Sequence, residues 1–141
     1  MPPPSDHPCL HLQLLDGLFF VHQLKTGDRI PASLLERLQN NEPRNFLSIT
    51  KTSEEISIAG SQTSATEAYE ATWRCIKIAG PMDFGLTGVV CNFTTPLKAN
   101  GVPVFAVSTW NTDYVLVPKD RANDAVEALK ADGWTFQAES A

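Results

Sequence analysis

The sequence lacks several features, and each absence removes a class of function. No apolar run approaches the roughly 20 residues of a membrane-spanning helix. The opening Met-Pro-Pro-Pro-Ser-Asp-His-Pro has neither the positive charge nor the apolar stretch of a secretory signal. A soluble, cytoplasmic protein is expected. No basic stripe is present: 11 Lys and Arg are scattered among 16 Asp and Glu, for a net charge of -5. Nothing would neutralise a row of phosphates, so neither nucleic acid nor a membrane is expected as a partner. The cysteines, Cys9, Cys75 and Cys91, are odd in number and widely spaced, which suits reduced core thiols better than a disulfide framework. Cys9 and His11 form a lone Cys-x-His. A metal site needs three or four ligands, and the other histidines are His7 and His22, so no metal and no cofactor is expected.

What is present is ordinary globular material. With 43% hydrophobic and 19% charged residues, the chain has enough apolar side chains for a core. Its 141 residues make one compact unit or two small, closely packed ones. Residues 1–8 are Pro-rich and polar, as in a disordered tail. Residues 10–24 are apolar and β-prone with Asp16-Gly17 between, which predicts a hairpin on a type I′ turn. Pro31 suits a first helical position, and Leu34, Leu35 and Leu38 follow at helical spacing. Residues 46–50 and 56–59 read as a strand pair with Ile56 and Ile58 on one face. Residues 60–72, rich in Ser, Thr, Ala and Glu, read as a connector. The expected division is a tail at 1–8, a first module at 9–60, a connector at 61–72 and a second module at 73–141.

The second half reads β-α-β-β-α-β. Strands are expected at 73–78, 102–107, 114–117 and 134–136. The helix over 86–99 carries Leu86, Val89, Val90, Phe93 and Leu97 on one stripe, and Pro96 breaks one of its hydrogen bonds. The last helix carries Ala122, Ala125, Val126 and Leu129, with Asp120 as its cap and Gly133 at its left-handed end. The nearly all-apolar 102–107 reads as a central strand buried on both faces. The fold class is α+β, ferredoxin-like, with antiparallel sheets covered by helices on one face. The other face needs cover from the first half or from a second copy, so paired modules and a homodimer are expected.

Two polar, glycine-containing segments lie at strand ends: GPMDFGLTG at 80–88 and STWNTDYVLV at 108–117. The first leads into a helix N-terminus, where unpaired N–H groups and the helix dipole attract a carboxylate. Asp83, Asp113 and nearby carbonyls suit an ammonium, so together the segments suit an α-amino acid. Each residue also has a plainer role. Asp83 and Thr87 fit the first turn of a helix, Asp113 the fastening of a turn, and Gly85 and Gly88 close helix packing. Trp73, Trp110 and Trp134 fit core or interface positions.

GPMDFGLTG, the helix after it, VFAVSTWNTDYVLV and FLSITKTSEEISI together resemble the ACT-domain proteins, relatives of aspartate kinase regulatory domains and of animal cytosolic arginine sensors. The resemblance is close over 73–136, extends to 46–58, and is one of pattern over 1–40. It implies two side-by-side ACT modules with effector amino acids bound at interfaces. It places Asp83, Phe84, Leu86, Thr87 and Gly88 in the ligand loop and Ser108, Thr109, Asn111, Thr112 and Asp113 in the ligand turn. Trp110 departs from the Tyr or Phe usual there. The expected function is an amino-acid-binding regulator acting on a separate protein partner. The second reading is a small metabolic enzyme using Asp83 and Asp113 as acid and base. Against catalysis, there is no Ser-His-Asp order in a supporting context, no phosphate loop and no ligand cluster.

Overall fold

The computed structural model describes residues 11–42, 45–63, 69–80 and 89–137. In chain order the elements are β1 (Leu12–Leu14), β2 (Phe19–Leu24), α1 (Ala32–Arg37), β3 (Leu47–Lys51), β4 (Ile56–Ser61), β5 (Trp73–Ile78), α2 (Val89–Ala99), β6 (Phe105–Ser108), β7 (Asp113–Pro118) and α3 (Ala122–Ala131). They fall into two compact units, residues 17–73 and residues 1–16 with 74–140.

In the 17–73 unit, β3, β4 and β2 form an antiparallel ladder in that order. Ile56 and Ile58 do share a buried face, packed with Phe20, Leu34 and Ala71. Tyr69 stacks on Phe20 at 5.0 Å between ring centroids and lies 4.4 Å from the His22 ring. The helix α1 is six residues long, too short to bury a stripe. Leu34 is buried, whereas Leu35 and Leu38 are exposed, contrary to the sequence expectation. The residue that fastens α1 is Arg37, which the sequence pattern did not flag. Its guanidinium is buried and donates to Asn45 Oδ1 (2.6 Å), the Phe46 carbonyl (3.0 Å), and the Ser61 carbonyl and hydroxyl (2.7 and 2.6 Å). It thereby satisfies backbone oxygens where β3 and β4 meet. Burial lowers its pKa from the usual arginine value, with nearby Glu42 acting in the opposite sense.

The second unit shows the larger departure. The predicted hairpin does not form. Gly17 does take a positive φ of 85°, but β1 pairs antiparallel with β5, setting Leu12 opposite Ile78 and Leu14 opposite Ile76. The strand β2 pairs along its whole length with β4. The order in this unit is β6, β7, β5, β1, with Phe136 bridging Leu12 on the far side. Residues 134–136, expected as a strand, contribute a single bridge from Phe136 to Leu12, and it is β1 that pairs with β5.

Ile76, Ile78, Val115 and Val117 on β5 and β7 pack with Phe93 and Leu97 of α2 and Ala122, Ala125 and Leu129 of α3. Strand β6 is shorter than expected, and lies at the end of the order rather than at its centre. Val102 is buried as part of a helix cap. Its N–H donates to the Leu97 carbonyl (2.9 Å) and that of Gly101 to Lys98 (3.0 Å), with Gly101 at φ 68°. The end of α3 repeats this: Trp134 N–H to Leu129 O (3.0 Å), Gly133 N–H to Lys130 O (3.0 Å), and Gly133 at φ 98°. Both are Schellman caps with a buried C3 to C″ pair. The predicted Asp120 cap is absent. Arg121 is the N-cap residue of α3, without a side-chain cap, and Asp120 lies in a preceding 3-10 turn.

Replacing Arg37 with Met should remove the guanidinium bonds to Asn45, Phe46 and Ser61 and lower stability by about 3 kcal/mol. Urea unfolding of the variant checks this, and a loss within about 0.5 kcal/mol, the size of an ordinary surface change, would contradict it.

Candidate ligand site at the β6–β7 turn

The turn is built from the register of its two strands. Ser108 lies opposite Asp113, and the four residues between them close the hairpin. The Thr109 N–H and hydroxyl both donate to the Thr112 carbonyl, at 2.9 and 3.1 Å. The Thr112 N–H lies 3.4 Å from the Thr109 hydroxyl oxygen. The Thr112 side chain is buried and donates its hydroxyl to the Ile78 carbonyl at 2.7 Å. That bond fixes the turn to the end of β5.

Gly80 completes the junction. It has a φ of 59°, and a Cβ there would meet Thr112 Cβ at 2.9 Å and the Asn111 carbonyl oxygen at 3.2 Å. The roots of the two predicted segments, at Gly80 and at Thr112, are therefore in van der Waals contact. Asp83, Phe84, Leu86, Thr87 and Gly88 lie outside the described residues.

The predicted turn residues divide by what they already do. Thr109 and Thr112 hold the turn with their hydroxyls. Ser108 and Asn111 are exposed, and Trp110 at the tip is 79% exposed. Asp113 is only 8% exposed. Among the described residues, none donates a hydrogen bond or an ion pair to its carboxylate. On the other face of β7, Tyr114 has Lys77 Nζ 5.8 Å from its ring centroid. Burial, and then the nearby Cys75, raise its pKa above 10.0. Gly80 and Tyr114 lie in the two segments that the sequence singled out, but their roles depend on what β5 and β7 bring together. Among the described residues, no three His, Cys, Asp or Glu come close enough to hold a metal, and no helix is long and apolar enough to cross a membrane.

Residues 68–131, which take in β5, α2, β6, β7 and α3, match the ACT domain model. Over that stretch the chain is similar to ACT domains. Among known proteins it is similar to the cytosolic arginine sensor for mTORC1 subunit 1 of Homo sapiens, 26% identical over 132 residues that cover 90% of this chain and 40% of that protein. The Bos taurus protein of the same name is 27% identical over 131 residues, with the same coverage. The chain thus spans about 40% of the length of these relatives. A crystal structure of a protein from Agrobacterium tumefaciens superposes with a TM-score of 0.74 at 28% identity, covering 93% of this chain and 94% of that one. The regulatory subunit of aspartate kinase from Thermus thermophilus shares the fold at 13% identity, with a TM-score of 0.60 and coverage of 86% and 97%.

Two predictions follow from the junction. Gly80→Ala should cost about 2 kcal/mol, because the new methyl meets a β-branched side chain and a backbone oxygen; a thermal melt within 1 °C of wild type would contradict the close approach. Tyr114 is neutral in the folded chain at pH values where its unfolded counterpart ionises. Its stabilisation is complete below the unfolded pKa and is lost as pH rises through the raised folded value. Urea unfolding above pH 10 should therefore show a steeper loss in wild type than in Tyr114→Phe.

Proposed function

We propose that this protein is a regulatory module that binds a small α-amino acid, or a closely related acid, where the segment after β5 meets the β6–β7 turn, and passes that binding to a separate protein partner. The observation that carries the reading is Asp113, a residue only 8% exposed whose carboxylate takes no hydrogen bond or ion pair from the described residues and so stands available to a ligand cation. Ser108 and Asn111, which the turn leaves exposed, add a hydroxyl and an amide beside it. Thr109 and Thr112 act by shaping the turn, with any ligand contact coming from their backbone. Asp83, Phe84, Leu86, Thr87 and Gly88, which precede α2 in the chain, are proposed to complete the site, with backbone N–H groups there receiving the carboxylate. The proposed setting is the cytoplasm. The cytosolic arginine sensors support an amino acid as the ligand, and the aspartate kinase regulatory subunit supports the fold as a regulatory one.

Thermal unfolding against the common amino acids, their biosynthetic intermediates and small carboxylic acids tests the proposal. One compound at about 100 times its dissociation constant should add about 2.7 kcal/mol. Asp113→Asn should abolish the shift while the variant still folds. No shift with any compound, or a shift that Asp113→Asn leaves intact, would overturn the reading.

A further inference from the structure

Asn100 is the only asparagine in the sequence that precedes a glycine. Both residues are exposed where α2 ends, and a Cβ on Gly101 would meet nothing within 4 Å, so water reaches the pair. Such a pair can close a ring on itself. The Gly101 nitrogen gives its proton to hydroxide and attacks Asn100 Cγ, the Cγ–Nδ2 bond breaks, and the side-chain nitrogen takes a proton from water and leaves as ammonia. Glycine allows this because it has no Cβ to obstruct the backbone rotation that ring closure needs. Water then opens the succinimide at either of its carbonyls, leaving aspartate or isoaspartate, with no change of oxidation state.

The nitrogen that becomes an anion shares its charge with the oxygen of the same peptide unit, the Asn100 carbonyl. Arg121 Nη2 donates to that oxygen at 3.0 Å, and Nη1 lies 3.4 Å from the Gly101 carbonyl oxygen. A cation fixed on an oxygen where negative charge develops stabilises the anion more than the neutral peptide. Arg121 is held by its Nε donating to Asp124 Oδ2 at 2.9 Å, so its place does not depend on the cap. The cap itself opposes the reaction. The Gly101 N–H donates to the Lys98 carbonyl at 3.0 Å and Asn100 Nδ2 to the Pro96 carbonyl at 2.8 Å. Both bonds belong to the last turn of a helix, where fraying costs little. Their opening releases the two reacting groups and leaves the guanidinium at the carbonyl.

We propose that Asn100 is a site of spontaneous deamidation, and that Arg121 promotes the reaction by stabilising the anion of the peptide between Asn100 and Gly101. The two products differ in what they do to the fold. Aspartate fits, since Asp132 takes the matching place before Gly133 and its N–H still bonds to the Ala128 and Leu129 carbonyls. It does set a negative charge at the negative end of the α2 dipole, which Arg121 offsets. Isoaspartate does not fit. It adds a carbon to the backbone just before Gly101, which puts the bonds from Gly101 to Lys98 and from Val102 to Leu97 out of register. Val102, only 4% exposed, then loses its fixed place in the core. The modification therefore loosens the end of α2 as the protein ages, and it stands apart from the ligand reading.

Peptide mapping of the full chain during prolonged incubation in mildly alkaline buffer tests the proposal, with Arg121→Gln alongside and both chains repeated in urea. Folded wild type should accumulate aspartate and isoaspartate in place of Asn100. Arg121→Gln should slow the folded reaction by about tenfold, less than the roughly hundredfold effect of a donor in an enclosed oxyanion hole, because these residues are exposed. In urea the two chains should react at the same rate, since Arg121 is then no longer held at the peptide. A guanidinium that only fastened the helix end would give the opposite sign, a faster folded reaction in Arg121→Gln. That result would overturn the proposal. So would an unchanged rate in the folded variant, or a folded wild type that stays unmodified.

Discussion

The unit that carries the candidate site depends on a strand of three residues from the beginning of the chain. Leu12 donates its N–H to the Thr135 carbonyl and accepts from the Gln137 N–H, both at 2.8 Å. On the other side, β1 runs antiparallel to β5 and is extended by bonds from Ala79 N–H to the His11 carbonyl (2.7 Å) and from Leu15 N–H to the Cys75 carbonyl (2.9 Å). Leu12 is wholly buried in the core under α2 and α3. Residues 17–73 are thus an insertion between β1 and the strand it completes. A contiguous piece from residue 73 onward would leave one edge of β5 and the backbone of residues 135–137 without their partners.

Within that unit the two helices end in the same way for the same reason. Leu-Lys-Ala-Asn-Gly-Val at 97–102 and Leu-Lys-Ala-Asp-Gly-Trp at 129–134 both place a leucine at C3, a glycine with positive φ at C′ and a buried apolar residue at C″. Each cap turns the chain sharply and sends an apolar side chain back into the core shared by both helices. The end of α2 is also tied to the start of α3. Arg121 donates to the Asn100 carbonyl at 3.0 Å, with Gly101 O at 3.4 Å, while its Nε pairs with Asp124 at 2.9 Å. A cation is thus held where the negative end of the α2 dipole lies.

The candidate site inherits its geometry from this frame. Thr112 bonds to Ile78, and Gly80 admits Thr112 at a distance no other residue would tolerate. The segment that follows β5 and the turn that precedes β7 are therefore one structure at their roots. Asp113 is the first residue of β7 and inherits the burial of that strand.

Much of this was legible in the residues themselves. The bounds of β5, the shared face of Ile56 and Ile58, the Phe93 and Leu97 stripe and the left-handed Gly133 all follow from local periodicity and backbone chemistry. Those depend on a residue and its neighbours a few places away. The resemblance to ACT domains was carried by segments of that kind. The sequence could not choose the partner of β1, because Asp16-Gly17 between two apolar runs satisfies a hairpin as well as a crossing between units. It could not show β6 as an edge, since an apolar run reads the same at the centre of a sheet and at an unguarded margin. Arg37 read as an ordinary surface charge until the tertiary structure buried it. Local pattern thus determined which elements exist, while strand pairing and burial, which join residues far apart in the chain, decided their neighbours.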